Sequence, residues 1–408
     1  MSYPKLFGSL GMIFVLSEVI FLVHYNYSLF CFNAFGSIIL GWFWIVAYAI
    51  SHYKFQLVNA DAKSLKHIVV IEATAITLFG MGLAFIIFFL MAIAVKPSVG
   101  IDLLVKNANS YEPIQHPSTK EIDGGTIYWN DIQYGIAYPR SFLDIYVSNE
   151  NNSSPKPTFI YIHGGGFIQG DKAMGDPYAG NMGSDYYLPF IDRGYNVVAI
   201  NYAFAPEYQY PTPVLQMSEA VEFLKSNADK YGLNMNEVFI GGNSAGGHIA
   251  GQFALIQSSN EYASEVNIEP VLSKNSLKAV ILNSALLEPS EFDVSGDWTF
   301  DYQLSVVARA YWGCDFKTNQ YTRKASIIQH VKKDYPPVYI TDGNTGSFYK
   351  QAKLFAEKLE EAGMIYELSF YEKEEAVLTH SYETALDTPQ AIENMEKMFD
   401  FMENQLNR

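Results

Sequence analysis

The chain has 408 residues, 49% of them hydrophobic, 15% aromatic and 17% charged, with a formal net charge of −16. That acidity excludes a nucleic-acid binder, which needs a basic face, and the apolar content excludes a disordered chain. Two cysteines, Cys31 and Cys314, are too few for a disulfide framework or a cysteine-ligated zinc site.

Charge is unevenly spread: residues 1–96 carry a net +2 and residues 97–408 carry −18. Three apolar runs fill the first part, at 6–23 (interrupted by Glu18), 29–50 and 73–95, the last two uncharged. A hydrocarbon core takes ~20 apolar residues in helix, so the expectation is three transmembrane helices forming a membrane anchor over 1–96. Glu18 must then face a partner helix or water. A buried soluble helical core fits less well, because runs this uniform are not amphipathic. Lys5 and the group Lys54, Lys63 and Lys66 put the N-terminus and the second loop in the cytoplasm by the positive-inside rule. The C-terminal part is thereby expected outside the cell membrane, with the lipid bilayer as one partner.

Residues 97–125 contain Pro97, Pro113, Pro117 and the Gly124–Gly125 pair and read as a linker or collar. From 126 to 408, strand-like and helix-like patterns alternate. Strands are expected at Phe142–Val147, Thr158–Ile162, Val197–Ile200, Val238–Ile240, Ala279–Leu282, Val338–Ile340 and Tyr366–Tyr371. Helical spacing of apolar residues follows Pro211 and Pro213, then recurs over 246–256, 352–359 and 392–402. Such alternation implies an α/β fold, a mostly parallel sheet covered by helices on both faces.

Where the strand at 238–240 gives way to a helix, the sequence reads Gly241-Gly242-Asn243-Ser244-Ala245-Gly246-Gly247. Small residues two places either side of Ser244 allow a sharp strand-to-helix turn, which lifts the hydroxyl above the sheet at the positive helix N-terminus. About 80 residues upstream, His163-Gly164-Gly165-Gly166-Phe167 follows another strand. Backbone free of side chains there can aim N–H groups at a developing oxyanion. It is not a phosphate-binding P-loop, because the Gly-Lys-Ser/Thr ending is missing.

These stretches, with Leu143-Asp144-Ile145-Tyr146-Val147 and Asn201-Tyr202-Ala203-Phe204-Ala205-Pro206-Glu207, resemble the α/β-hydrolases of the hormone-sensitive-lipase/carboxylesterase group over about residues 126–408. Ala203 and Asn243 stand where that family has arginine and aspartate. The resemblance implies an α/β-hydrolase fold with Ser244 as nucleophile, an oxyanion hole from Gly165, Gly166 and Ala245, and His380 as base. It implies structural roles for His163 and, by core packing, for His248. The family places its acid three residues after a strand-ending Gly. Here that slot after Gly343 is Gly346, and Asp342 lies four residues early. Asp342 is taken as the acid, with Glu288, Glu291 and Asp293 as alternatives. The function implied is a membrane-anchored serine carboxylesterase or acetylesterase acting on small acyl esters, including an acylated surface glycan, with neither metal nor cofactor. A catalytically silent binding domain, or an acyltransferase or amidase using the same residues, are the alternatives. The segment 288–322, rich in aromatics, is expected to cap the site, either as an acyl pocket or as a packed core.

Overall fold

The computed structural model describes residues 80, 82–87, 119–122, 125–148, 156–176, 179 and 184–408. Two compact units divide the chain, Met1–Gly100 and Ile101–Arg408.

In the first unit the expectation of three transmembrane helices is not upheld. Among the described residues no helix is long and apolar enough to cross a membrane. The described helical stretch, 82–87, rises ~9 Å at ~1.5 Å per residue, against the ~30 Å of a hydrocarbon core. The runs at 6–23 and 29–50, most of 73–95 and the lysines used to assign orientation lie outside the described residues.

The second unit is built on one nine-stranded sheet: β1 (Thr119–Ile122), β2 (Thr126–Gln133), β3 (Phe142–Ser148), β4 (Pro157–Ile162), β5 (Asn196–Ile200), β6 (Asn234–Asn243), β7 (Leu277–Asn283), β8 (Val338–Thr341) and β9 (Tyr366–Ser369). Their spatial order is β1-β2-β3-β5-β4-β6-β7-β8-β9. The first three pair antiparallel, as do β3 and β5, and every pairing from β5 through β9 is parallel. This mixed, mostly parallel arrangement is the α/β-hydrolase sheet that the sequence implied. β1 and the start of β2 adjoin or enter the stretch expected to be linker.

The central strands read as unbroken apolar runs because both faces are covered. Alternate residues serve opposite sides. Ile160, Val198, Ile240 and Leu282 join one core, packed by helices α1 (Thr212–Ser226), α2 (Ala245–Ser258) and α4 (Tyr349–Glu361). Phe159, Val197, Phe239 and Ile281 join the other with Met398, Phe399 and Met402 of helix α5 (Pro389–Leu406). Between β7 and β8 the expected insertion is helical, with α3 at Trp298–Trp312 and short turns of helix at Gln320–Ala325 and Ile327–His330.

In an open parallel sheet the loops leaving the C-terminal ends of the strands gather at one edge. Register makes this concrete. Ile162 lies opposite Gly242, Asn243 opposite Asn283, Asn283 opposite Thr341, and Thr341 opposite Ser369. The residues that follow each strand therefore emerge in a row.

Candidate active site

Ser244 directly follows β6 and caps α2 with φ 53° and ψ −116°, a strained conformation for a residue with a side chain. Its neighbour Gly246 packs so tightly that a Cβ there would lie 2.5 Å from the His163 carbonyl oxygen. The elbow thus needs glycine for clearance. Ser244 Oγ faces His380, with Nε2 2.9 Å away.

His380 is held in a loop after β9 that is pinned to the loop after β8. Asn344, buried, is the pin: its Nδ2 donates to the carbonyls of Tyr371 (2.9 Å) and Ala376 (2.7 Å), and its Oδ1 accepts from Leu378 N–H (3.1 Å). Thr345 bridges Thr379 in parallel. Gly343 passes Thr379 so closely that a Cβ would sit 2.6 Å from that residue's carbonyl carbon. The His380 ring lies between Phe300 and Phe348, centroids 5.5 and 5.2 Å away. This enclosure lowers its pKa to about 4, so the imidazole is neutral near pH 7.

Asp342 is brought to the same edge, with no direct hydrogen bond to His380 among the described residues. Ser347, which sequence reasoning missed, stands between them. His380 Nδ1 is 2.7 Å from Ser347 Oγ, and Ser347 Oγ donates to Asp342 Oδ1. Burial pushes the Asp342 carboxyl well above the usual range, with the Ser347 hydrogen bond pulling the other way. A second buried carboxylate, Glu383, was also missed. Ser284 Oγ donates to its Oε2 (3.0 Å) and Asn243 Nδ2 to its Oε1 (3.1 Å), and burial raises it to about 7. The family aspartate at position 243 would set another carboxylate against Glu383. Asparagine removes that repulsion and donates instead, a signal that was available in the sequence.

The alternative acids lie elsewhere. Glu288 accepts from Ser290 (2.6 Å), Ser326 (2.6 Å) and Gln329 (2.9 Å). Asp293 pairs with Lys317 at 2.9 Å, and Glu291 is exposed.

The glycine loop lies across from Ser244. Gly165 and Gly166 have φ of +106° and +62°, and the Gly165 carbonyl accepts from Ile168 and Gln169 N–H, both at 3.2 Å. Ala245, first residue of α2, has no intrahelical acceptor for its N–H. His163 holds the loop as expected: its Nδ1 is 2.7 Å from Gly164 O, and its ring stacks on Tyr202 at 4.4 Å. Tyr202 donates to the His163 carbonyl at 3.0 Å. Burial lowers His163 and His248 to about 4. His248 packs edge-on to Phe167 and Trp312 and bonds Leu286 O at 2.8 Å. Beneath the loop, Lys172 is buried between Asp144 (2.7 Å) and Asp131 (2.9 Å).

Over the site, the inner part of the insertion is packed core. Phe167 stacks on Tyr311 at 4.0 Å, with Phe292 and Trp312 around it, all buried. The outer turn of α3 is open, with Trp298 81% exposed. Among the described residues no group of His, Cys, Asp and Glu is arranged to hold a metal ion.

A family model, BD-FAE, matches residues 143–359. The chain is 25% identical to Esterase LipC of Mycobacterium tuberculosis over 224 residues, 54% of this chain and 52% of that protein. It is 25% identical to arylacetamide deacetylase of Bos taurus over 229 residues, covering 54% and 51%. The chain spans about half the length of these curated relatives. Among solved structures, Esterase B from Lactobacillus Rhamnosis superposes with a TM-score of 0.61 at 20% identity, covering 78% of this chain and 95% of that chain. A truncated carbohydrate esterase from gut microbiota gives 0.53 at 19% identity, covering 69% and 96%. At these identities the structural likeness establishes the fold.

Proposed function

The chain belongs to the BD-FAE family, and from that premise we propose that it is a serine carboxylesterase acting on small acyl esters. The observation that carries this reading is the 2.9 Å approach of His380 Nε2 to Ser244 Oγ at the strained elbow. A weakly acidic hydroxyl needs an adjacent base to become a nucleophile, and the neutral imidazole supplies it.

In this reading Ser244 Oγ attacks the acyl carbonyl as its proton passes to His380 Nε2. The carbonyl oxygen becomes an oxyanion received by the N–H groups of Gly165, Gly166 and Ala245. Collapse breaks the ester bond, and His380 returns the proton to the leaving alcohol. Water then attacks the acyl-enzyme by the same route in reverse. A small acyl group is favoured because Val307 of α3 closes over the loop, 3.3 Å from where a Cβ on Gly166 would stand.

The names of the relatives, esterase and deacetylase, support acyl-group hydrolysis as the class. Amide cleavage or acyl transfer would use the same groups. The Ser244–His380 pair weighs against a silent binding domain, which has no use for it. A fluorophosphonate probe on the full chain tests the proposal. Wild type is expected to label and to hydrolyse p-nitrophenyl acetate, and Ser244→Ala to do neither. Equal labelling of both proteins would sink it.

A further inference from the structure

A base of this kind works only if its far nitrogen carries the proton, leaving the near one free to accept from the nucleophile. In His380 the far nitrogen, Nδ1, meets a hydroxyl and no carboxylate: Ser347 Oγ, at 2.7 Å. Ser347 Oγ is also bonded to Asp342 Oδ1. One hydroxyl has one proton and serves both neighbours, so the direction of the chain matters. An ionised Asp342 can only accept. Ser347 must then donate to it, Ser347 Oγ must accept from Nδ1–H, and Nε2 is left with a lone pair facing Ser244. With Asp342 protonated the chain can run the other way. Ser347 then donates to Nδ1, and Nε2 carries a proton that blocks the attack.

We infer that Ser347 is a positioning residue that fixes the productive tautomer of His380 and lets Asp342 act on the base from one residue further away. The inference rests on the esterase reading of the same site.

The backbone explains why a relay is needed. Asp342 directly follows β8, where Ser284 N–H bonds Thr341 O at 2.8 Å and Thr341 is in register with Ser369. The carboxylate is thereby held at the level of the sheet. Ser347 reaches the imidazole from a loop folded through Gly346, at φ +56°, and tied down by Asn344. Other titratable groups face this chain. Glu383 lies close enough to Asp342 to raise it, with Ser284 bound to Glu383 at 3.0 Å. Tyr382 OH sits 2.9 Å from Thr341 Oγ1. Phe300 and Phe348 enclose the imidazole.

The test measures tautomer and turnover together, on the full chain. Nitrogen NMR of ¹⁵N-histidine-labelled protein, with His380→Gln to assign the resonance, is expected to show Nδ1–H in wild type and a mixture of tautomers in Ser347→Ala. Turnover of p-nitrophenyl acetate by Ser347→Ala should fall by ~10²–10⁴, bounded by the ~10⁴ lost when a triad acid is neutralised, with KM within about threefold. Ser347→Thr, which keeps the hydroxyl, should recover to within about tenfold of wild type. Asp342→Asn/Ser347→Asp, which moves the acid to the nearer position, should also recover turnover and shift the acid limb of kcat/KM upward. A purely structural serine would not give that shift. An Nε2–H tautomer in wild type overturns the inference whether or not any variant folds. So does a Ser347→Ala protein that keeps both the Nδ1–H tautomer and wild-type turnover. If wild type neither labels with fluorophosphonate nor hydrolyses ester, the esterase reading fails, and the tautomer measurement still decides the role of Ser347.

Discussion

Gly165→Ala should disable the oxyanion loop while leaving the molecule folded. Its φ of +106° lies beyond even the left-handed well, so a side chain there costs on the order of 1–3 kcal/mol. The added methyl would sit 2.7 Å from the Gln169 carbonyl carbon and 3.2 Å from its Cγ. Carbon atoms rest ~3.5–4.0 Å apart, so the two sides of the loop must separate by about 1 Å. Those sides are the ones closed by the bonds from Ile168 and Gln169 N–H to Gly165 O, and the N–H groups proposed to receive the oxyanion move with them. Losing one such donor costs ~2.7–4 kcal/mol in the transition state. We expect kcat for p-nitrophenyl acetate to fall ~10²–10³, with KM within about threefold because the lost contact is made to developing charge. Gly166→Ala is the comparison. Its φ of +62° lies in the left-handed well, and its Cβ would meet only the Val307 side-chain tip at 3.3 Å, so its kcat should fall less than about tenfold. Steady-state kinetics and thermal unfolding on both variants make the check. A Gly165→Ala enzyme within threefold of wild-type kcat, or one less impaired than Gly166→Ala, refutes the reasoning.

Three further outcomes follow from buried charge. Because enclosure holds His380 at about 4, and only its neutral form can act as base, kcat/KM should be lost as pH falls through about 4, any earlier loss marking protonation of Asp342, which burial raises. A protein that keeps its kcat/KM well below pH 4 in the pH–rate profile contradicts this. Lys172→Met leaves Asp131 and Asp144 buried without their shared cation, and such a break costs ~3–5 kcal/mol. Denaturant unfolding at pH 7 should show it, and a loss under ~1 kcal/mol would mean the pair contributes little. Glu383 has a folded pKa of about 7 against an ordinary 4.5, so the native state holds its proton more tightly. Its stabilisation is full below about pH 4.5 and is lost as pH rises through 7, at most ~3 kcal/mol by linkage. Glu383→Gln should flatten stability over that window; an unchanged slope would assign it to Asp342, which burial raises in the same direction.

The sequence made the central sheet legible because its strands are buried on both faces and read as plain apolar runs. β1 and β2 were hidden for the opposite reason. They form the antiparallel edge, and a Gly–Gly pair with nearby prolines reads as linker. Ser244 and the glycine loop carry local signatures in their backbone demands, while His380 was placed by the resemblance, in the loop after the strand at Tyr366–Tyr371. Ser347 carries none, since its meaning arises only when Asn344 and Gly343 bring two loops together across the ends of β8 and β9. Asp342 could be named as an acid, while its distance from the imidazole could not be counted along the chain.

The stack of Phe167 on Tyr311 also couples two parts of the chain. It joins the oxyanion loop to helix α3 through two buried rings 4.0 Å apart, so the helix is riveted to the machinery it covers. A substitution at Tyr311 would therefore be felt at Phe167, in the loop proposed to receive the oxyanion, although the two residues lie far apart along the chain.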